Sequence, residues 1–274
     1  VAKAGDFLRS ARKTRERPDA AREAYLQLVK KALNGYLVFG GADSFADFSP
    51  GNEQLYDLST GRWKIPEPAR PRTVLSSYQL ENLERLMKKV IAERVPGDFI
   101  EAGVFRGGAV IFMRAFMRAY SVPGRRVWAA DSFAGIPQTR HPRESLEPVD
   151  AWPDRWVADL AGVKNAFRRY GLLDRRVRFV KGPFATVLPS APIRRLALIR
   201  LDADSYESVM DALVHLYPKI SRGGWVIVDD WHLSGCVEAV VEFRRRNGVR
   251  APIIGAFGRE GRRSCLREFC WRAD

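Results

Sequence analysis

Two pairs of aspartates follow two apolar runs. Asp202 and Asp204 come directly after Leu196-Ala-Leu-Ile-Arg-Leu201, and Asp229 and Asp230 come directly after Trp225-Val-Ile-Val228. Each run reads as a buried strand that ends in carboxylates. In a parallel α/β sheet, ligands bind outside the carboxyl ends of the strands. Four acids gathered at that edge, in a chain of net charge +14, call for a hard divalent cation such as Mg2+, which takes oxygen ligands. Three carboxylates leave about three of magnesium's six positions for substrate and water. Two neighbouring oxygens of a sugar diol or a catechol could fill two of these. A cation on a hydroxyl lowers its pKa, and a carboxylate not used by the ion can take the proton. Asp202 and Asp204 face the same way if both remain extended. Asp229 and Asp230 diverge on a strand but can reach one point where the chain turns. A plainer reading exists for a single acid: Asp204 or Ser205 can cap the helix that follows. It explains one acid, not four.

A second constellation lies upstream. Glu101-Ala-Gly-Val-Phe-Arg-Gly-Gly108 joins a short strand to a helix. Its glycines, Gly103 and Gly107 among them, let the backbone approach a ligand closely. The spacing is neither GxGxxG nor a phosphate loop, which requires Gly-Lys-Ser/Thr. The acid at the strand end, Glu101, suits an ammonium group better than a pyrophosphate. Asp131 ends the next strand, where an acid can accept both hydroxyls of a ribose; alternatively it caps its own loop ahead of Ser132. A glycine turn, Glu101 and Asp131 together describe S-adenosylmethionine, which has a ribose diol and an amine but no phosphate.

These residues need a framework of alternating strands and helices, and the pattern supplies one. Asp19 can cap a helix that runs to Asn34-Gly35. Residues 36–72 are rich in Gly, Pro and aromatics and form a candidate lid or substrate wall. Ser76 or Ser77 starts a helix with Leu80, Leu83, Leu86, Met87 and Val90 on its apolar stripe. From Gly97 onward, strands are expected at 98–102, 126–131, 177–180, 196–201 and 225–228, with helices at 107–120, 157–170, 206–216 and 235–247. Two final strands, 251–257 and 265–272, read as an antiparallel hairpin. The expectation is an α/β, doubly wound sheet, with N-terminal helices and lid in residues 1–96 and the catalytic core in 97–274.

Composition narrows the remaining possibilities. The chain has 274 residues, 46% of them hydrophobic, enough for a full core. No apolar run reaches membrane-spanning length and no signal-peptide pattern opens the chain, so a cytoplasmic location is expected. Cys236, Cys265 and Cys270 lack CxxC spacing and read as reduced thiols, not a zinc site. The basic excess lies in arginine pairs such as Arg168-Arg169 and Arg244-Arg245-Arg246, without the interleaved aromatics of a nucleic-acid platform. A solvated arginine-rich surface and attraction to an anionic substrate, lipid surface or acidic partner both remain open.

The stretches Gly97–Gly108, Val127–Pro137, Tyr170–Asp174, Leu201–Ser208 and Gly223–Asp230 resemble those of the macrocin O-methyltransferase family, in the same order. The resemblance implies a class I methyltransferase, Rossmann-like fold and magnesium-dependent methylation of a sugar hydroxyl on a natural-product glycoside; a glycolipid acceptor is a variant of that expectation. It implies Asp202, Asp229 and Asp230 as metal ligands and Asp204 as general base. It places Glu101, Gly103, Phe105 and Asp131 at the cofactor, with Gly107 and Ser132 completing the candidate set. The loop around His141 and the segment near 36–60 fall where the family closes over its acceptor, and Trp231 is a further acceptor-side candidate. A homo-oligomer is expected. A catechol or small-phenol methyltransferase and a non-catalytic binding module that keeps the cofactor fold are the competing readings.

Overall fold

The structure, a computed structural model, describes residues 17–39, 56–57, 62–137, 156–255 and 268–274. Its centre is a seven-stranded sheet. In chain order the strands are β1 (Asp98–Ala102), β2 (Val127–Asp131), β3 (Val177–Lys181), β4 (Leu196–Leu201), β5 (Ile220–Val228), β6 (Ile254–Gly255) and β7 (Phe269–Arg272). They lie in the order β3-β2-β1-β4-β5-β7-β6. The first five are parallel, and β7 runs antiparallel to both β5 and β6.

The longer helices are α1 (Arg17–Leu33), α2 (Ser77–Ala92), α3 (Gly108–Ala119), α4 (Leu160–Arg169), α5 (Tyr206–Leu216) and α6 (Ser234–Arg246). They cover both faces of the sheet, so the central strands are mostly apolar, as parallel strands buried on two sides must be. Successive residues feed opposite faces. Phe99 and Leu198 pack with Leu26 of α1, Leu80 of α2, Phe112 of α3 and Phe167 of α4. Ile100 and Ile199 pack with Val209 and Leu213 of α5 and Val240 and Phe243 of α6.

The N-terminal helices share this core. On α1, Lys30 donates to Glu84 of α2 at 2.8 Å, and both side chains are buried. Such a pair fixes how the two helices dock, since either charge alone would be costly there. Helix α2 starts at Ser77 behind a full capping box: the Ser76 hydroxyl accepts from the Gln79 amide N–H, and the Gln79 side chain accepts from the Ser76 N–H. This arrangement aims the rest of the Gln79 side chain at the site described below.

Several boundaries differ from expectation. Helix α1 begins at Arg17, so Asp19 sits in its first turn and does not cap it; Pro18 is tolerated there because its missing N–H would be unpaired anyway. Helix α4 begins at Leu160, because the Asp159 carboxylate caps it by accepting from the Gly162 N–H at 2.6 Å. Strand β5 begins five residues early, at Ile220. Its pairing with β4 shifts register between Leu196 and Leu198, and Gly223, at φ 81°, absorbs the irregularity that a side chain would resist. The terminal strands do pair antiparallel, Ile254–Gly255 with Phe269–Arg272; the first starts later than 251 because Pro252 has no N–H to extend the ladder, and residues 256–257 and 265–267 lie outside the described ones.

Candidate active site

The strand order reverses between β1 and β4, neighbours whose crossovers run to opposite sides. Their carboxyl ends therefore open a crevice, the usual binding position of such sheets. The two ends are held in register: the Asp202 N–H donates to Ala102 O and the Gly103 N–H to Ala130 O, both at 2.9 Å. Gly103 has φ 87°, and a Cβ placed on it would lie 1.6 Å from the Asp202 carbonyl oxygen. Only glycine lets the upstream turn and the first aspartate of the downstream cluster lie so close. The far side of this turn is also tied down. Arg106 donates through Nε to Pro71 O at 2.8 Å and pairs through Nη1 with Glu67 at 2.6 Å, while Gly108 packs against Arg72 and Thr73 with no space for a Cβ.

The downstream acids converge. Asp202, Asp229 and Asp230 each offer a ligand atom, and these atoms all lie within 4.8 Å of one another. Strand β5 ends at Val228, and the turn there brings the two adjacent aspartates to one point, as the sequence suggested. Asp204 differs from expectation. It is not extended but left-handed, with φ 56°, a conformation that aspartate tolerates better than most residues. Its N–H donates to Asp230 Oδ2 at 3.0 Å, and Ser205, not Asp204, caps α5. Burial and the charges of Asp204, Asp202 and Asp229 push the Asp230 carboxyl well above the usual carboxylate range. Burial likewise lifts Asp202 to about 6, against the opposing pull of Arg200. A metal-free cluster of this kind is under electrostatic stress, and its all-oxygen donor set fits a hard divalent ion.

Sequence reasoning missed the cation at the centre of the acids. Arg200 on β4 is fully buried. Its Nη1 donates to Glu101 Oε1 and to Asp202 Oδ2, both at 2.6 Å, and its Nη2 pairs with Asp229 Oδ1 at 2.8 Å. A single charge inside Leu-Ala-Leu-Ile-Arg-Leu was the available signal, because a buried charge needs partners. Two more residues were invisible. Gln79 Nε2 donates to Asp229 Oδ1 at 2.5 Å, and Asn82, one turn along α2, donates to the buried Glu268 at 2.6 Å. Burial, with Asp229 next, raises Glu268 to about 8.

That shift has a measurable consequence. The folded state holds the Glu268 proton more tightly than the unfolded chain, so this group costs stability as pH rises from about 4.5 through about 8. Glu268→Gln removes the titration. In urea denaturation with a chelator present, variant and parent should agree at about pH 5, and the variant should be the more stable at about pH 9. A gap that fails to widen with pH contradicts the assignment.

On the cofactor side, Glu101 keeps only one oxygen on Arg200. Its Oε2 is buried without a hydrogen-bond partner, and burial raises the carboxyl to about 8. An acceptor left over beside a glycine turn fits an ammonium group. Asp131 binds the turn itself: Oδ2 accepts from the Val104 and Phe105 N–H groups at 2.7 and 3.1 Å, and Oδ1 accepts from the Phe133 N–H at 2.7 Å. The loop-capping reading of Asp131 is therefore real, and it aims the carboxylate at the crevice mouth. Ser132 bridges within the same loop, donating to Gly135 O at 2.7 Å. Phe105, at φ 45°, is half-buried with its ring edge-on to Trp156 at 5.4 Å. Gly107, at φ 87°, precedes the first turn of α3. Trp231 packs on Phe269 with ring centroids 4.9 Å apart. His141 lies outside the described residues, as do Cys265 and most of the 36–60 segment. Beyond Trp231, a groove of about 750 Å3 begins at His232 and follows Ser234, Val237, Glu238 and Val241 along α6.

A parallel sheet with this strand order, an antiparallel final pair and a glycine turn facing the acids defines a class I methyltransferase. The macrocin O-methyltransferase (TylF) family profile matches residues 51–256, and the chain belongs to that family. It is 41% identical over 237 residues to the 8-demethyl-8-(2,3-dimethoxy-alpha-L-rhamnosyl)-tetracenomycin-C 4'-O-methyltransferase of Streptomyces olivaceus, covering 85% of this chain and 89% of that one. It is 37% identical over 242 residues to the mycinamicin III 3''-O-methyltransferase of Micromonospora griseorubida, with coverage of 86% and 94%. The solved O-methyltransferase NovP superposes with a TM-score of 0.76 at 35% identity, covering 92% of this chain and 99% of that one. The protein is thus an O-methyltransferase, and its fold is that of enzymes using S-adenosylmethionine. Among the described residues, no helix is long and apolar enough to cross a membrane.

Proposed function

We propose that this enzyme methylates a sugar hydroxyl of a natural-product glycoside, with a divalent cation, Mg2+, at Asp202, Asp229 and Asp230. The convergence of these three carboxylates beside the cofactor turn carries the reading. The Streptomyces olivaceus relative is named for methylation of a rhamnosyl-bearing compound. S-adenosylmethionine supplies an electrophilic sulfonium methyl; Glu101 receives its ammonium and Asp131 its ribose diol, with Gly103, Phe105, Gly107 and Ser132 shaping the seat. The cation, when bound, acidifies an acceptor hydroxyl and fixes its orientation. Asp204 then accepts the proton from that hydroxyl, and the rigid β1 and β4 ends keep acceptor oxygen and methyl group in line. Trp231, directly after the paired aspartates, is the acceptor-side candidate.

Other features support the wider setting. Exposed Leu28, Leu37 and Val38 suit burial against a second copy, hence a homo-oligomer. Two buried free thiols, Cys236 and Cys270, suit a reducing cytoplasm.

Transfer of labelled methyl to a panel of rhamnosyl glycosides and catechols tests the reading. The expected result is product from glycosides only, lost after chelation and restored by Mg2+. Full activity in chelator would remove the metal from the reading, and catechols as the sole acceptors would replace the sugar.

A further inference from the structure

Each of the three clustered carboxylates has one oxygen engaged by a protein donor. Arg200 takes Asp202 Oδ2, Arg200 and Gln79 share Asp229 Oδ1, and the Asp204 N–H takes Asp230 Oδ2. The donors come from β4, from α2 and from the loop after β4. Among the described residues, the second oxygen of each aspartate has no such donor, and one oxygen of each lies within 4.8 Å of the other two. A carboxylate fixed in this way cannot rotate its occupied oxygen toward an ion, so its free oxygen is presented in one direction.

We propose that Arg200 and Gln79 are positioning residues that orient Asp202 and Asp229 for a divalent cation. The guanidinium fork is what the task requires. It holds two carboxylates from two strands at fixed separation, and a third, Glu101, from the cofactor strand. A lysine ammonium is a point charge and imposes no such plane. Gln79 is itself held by the capping box of α2, so the rigid start of that helix sets the height of Asp229. The proposal rests on the metal reading of the site.

The sign of the effect separates positioning from charge balance. If Arg200 only neutralised the acids, Arg200→Lys would bind cations as the parent does. If it positions them, Arg200→Lys keeps the charge and loses the geometry. The experiment is Mn2+ binding, with the metal alone and neither cofactor nor acceptor present, followed by electron paramagnetic resonance. Arg200→Lys should weaken Mn2+ binding about 10–100-fold, the range typical of partners behind metal ligands, with its circular dichroism unchanged. Arg114→Lys is the control, since Arg114 is also buried, though less completely, and pairs with Asp174 away from the site; it should bind as the parent does. Gln79→Met, which keeps the Ser76 hydroxyl on the residue-79 N–H but gives up the side-chain half of the capping box, should weaken binding in the same direction and carries the test, with circular dichroism unchanged, if lysine at position 200 prevents folding. Parent-like affinity in a folded Arg200→Lys, or in Gln79→Met, overturns the proposal for that residue. A parent that binds no Mn2+ overturns the metal reading itself, and the proposal with it.

Discussion

Asp230→Asn is expected to lower methyl transfer about a thousandfold and, in metal-free buffer, to raise the melting temperature. The first effect follows from losing one of three converging ligands: about 4 kcal/mol of stabilisation corresponds to about three orders of magnitude in rate. The second follows from the stress in the cluster. Asp230 is buried among Asp204, Asp202 and Asp229, which hold its carboxyl well above the usual range. The folded state then binds this proton more tightly than the unfolded chain, so the parent loses stability as pH rises above about 4. Asparagine does not titrate, and its amide oxygen can still accept from the Asp204 N–H. The gain should be a few degrees near neutral pH and should shrink toward about pH 4. Magnesium should reverse the ranking, raising the parent's melting temperature and leaving the variant's unchanged. Differential scanning calorimetry with and without Mg2+, beside a methyl-transfer assay, checks both parts. A variant less stable than the metal-free parent at neutral pH would mean that the acids are not in conflict.

Gly103→Ala should be the most damaging single-methyl change in the chain. The added Cβ would sit 1.6 Å from Asp202 O, and neither side can retreat, because both strand ends are hydrogen-bonded in the sheet. The residue is also left-handed at φ 87°, which costs about 1–2 kcal/mol for any L side chain. Destabilisation of about 4 kcal/mol or more is expected, with loss of S-adenosylhomocysteine binding. Gly107→Ala is the instructive comparison. It shares φ 87°, but its Cβ would meet one side-chain atom, Val163 Cγ1, at 2.9 Å and not a backbone carbonyl. Its cost should exceed the backbone term, because buried Val163 is stiff, and stay well below that of Gly103→Ala. Urea denaturation and calorimetric titration of both variants decide the matter, and a Gly103→Ala protein within about 1 kcal/mol of the parent would show that the turn can yield.

Each prediction draws on residues of different legibility. The alternation of apolar runs and amphipathic stretches determined the five parallel strands and the helices between them, because burial on two faces leaves a pattern that survives in a single sequence. The same runs located Asp202, Asp229, Asp230 and the glycine turn, since a strand's last residue fixes what lies at its carboxyl edge. Tertiary structure decided the rest. The left-handed turn at Asp204 depends on a hydrogen bond to Asp230, 26 residues away in the chain. The extension of β5 back to Ile220 depends on its pairing with Leu196 of β4 and on the bonds that Gly223 and Gly224 exchange with Ala273, just past β7. Arg200 stood in plain view as a charge in an apolar strand, yet its partners lie on β1, β4 and β5, and pattern within one strand cannot name residues on another. Gln79 lies off the apolar stripe of its helix and Glu268 is a lone acid in the expected 265–272 strand, so neither stands out as a site candidate. They are buried because α2 and β7 close over the acids, a consequence of packing that no local spacing records.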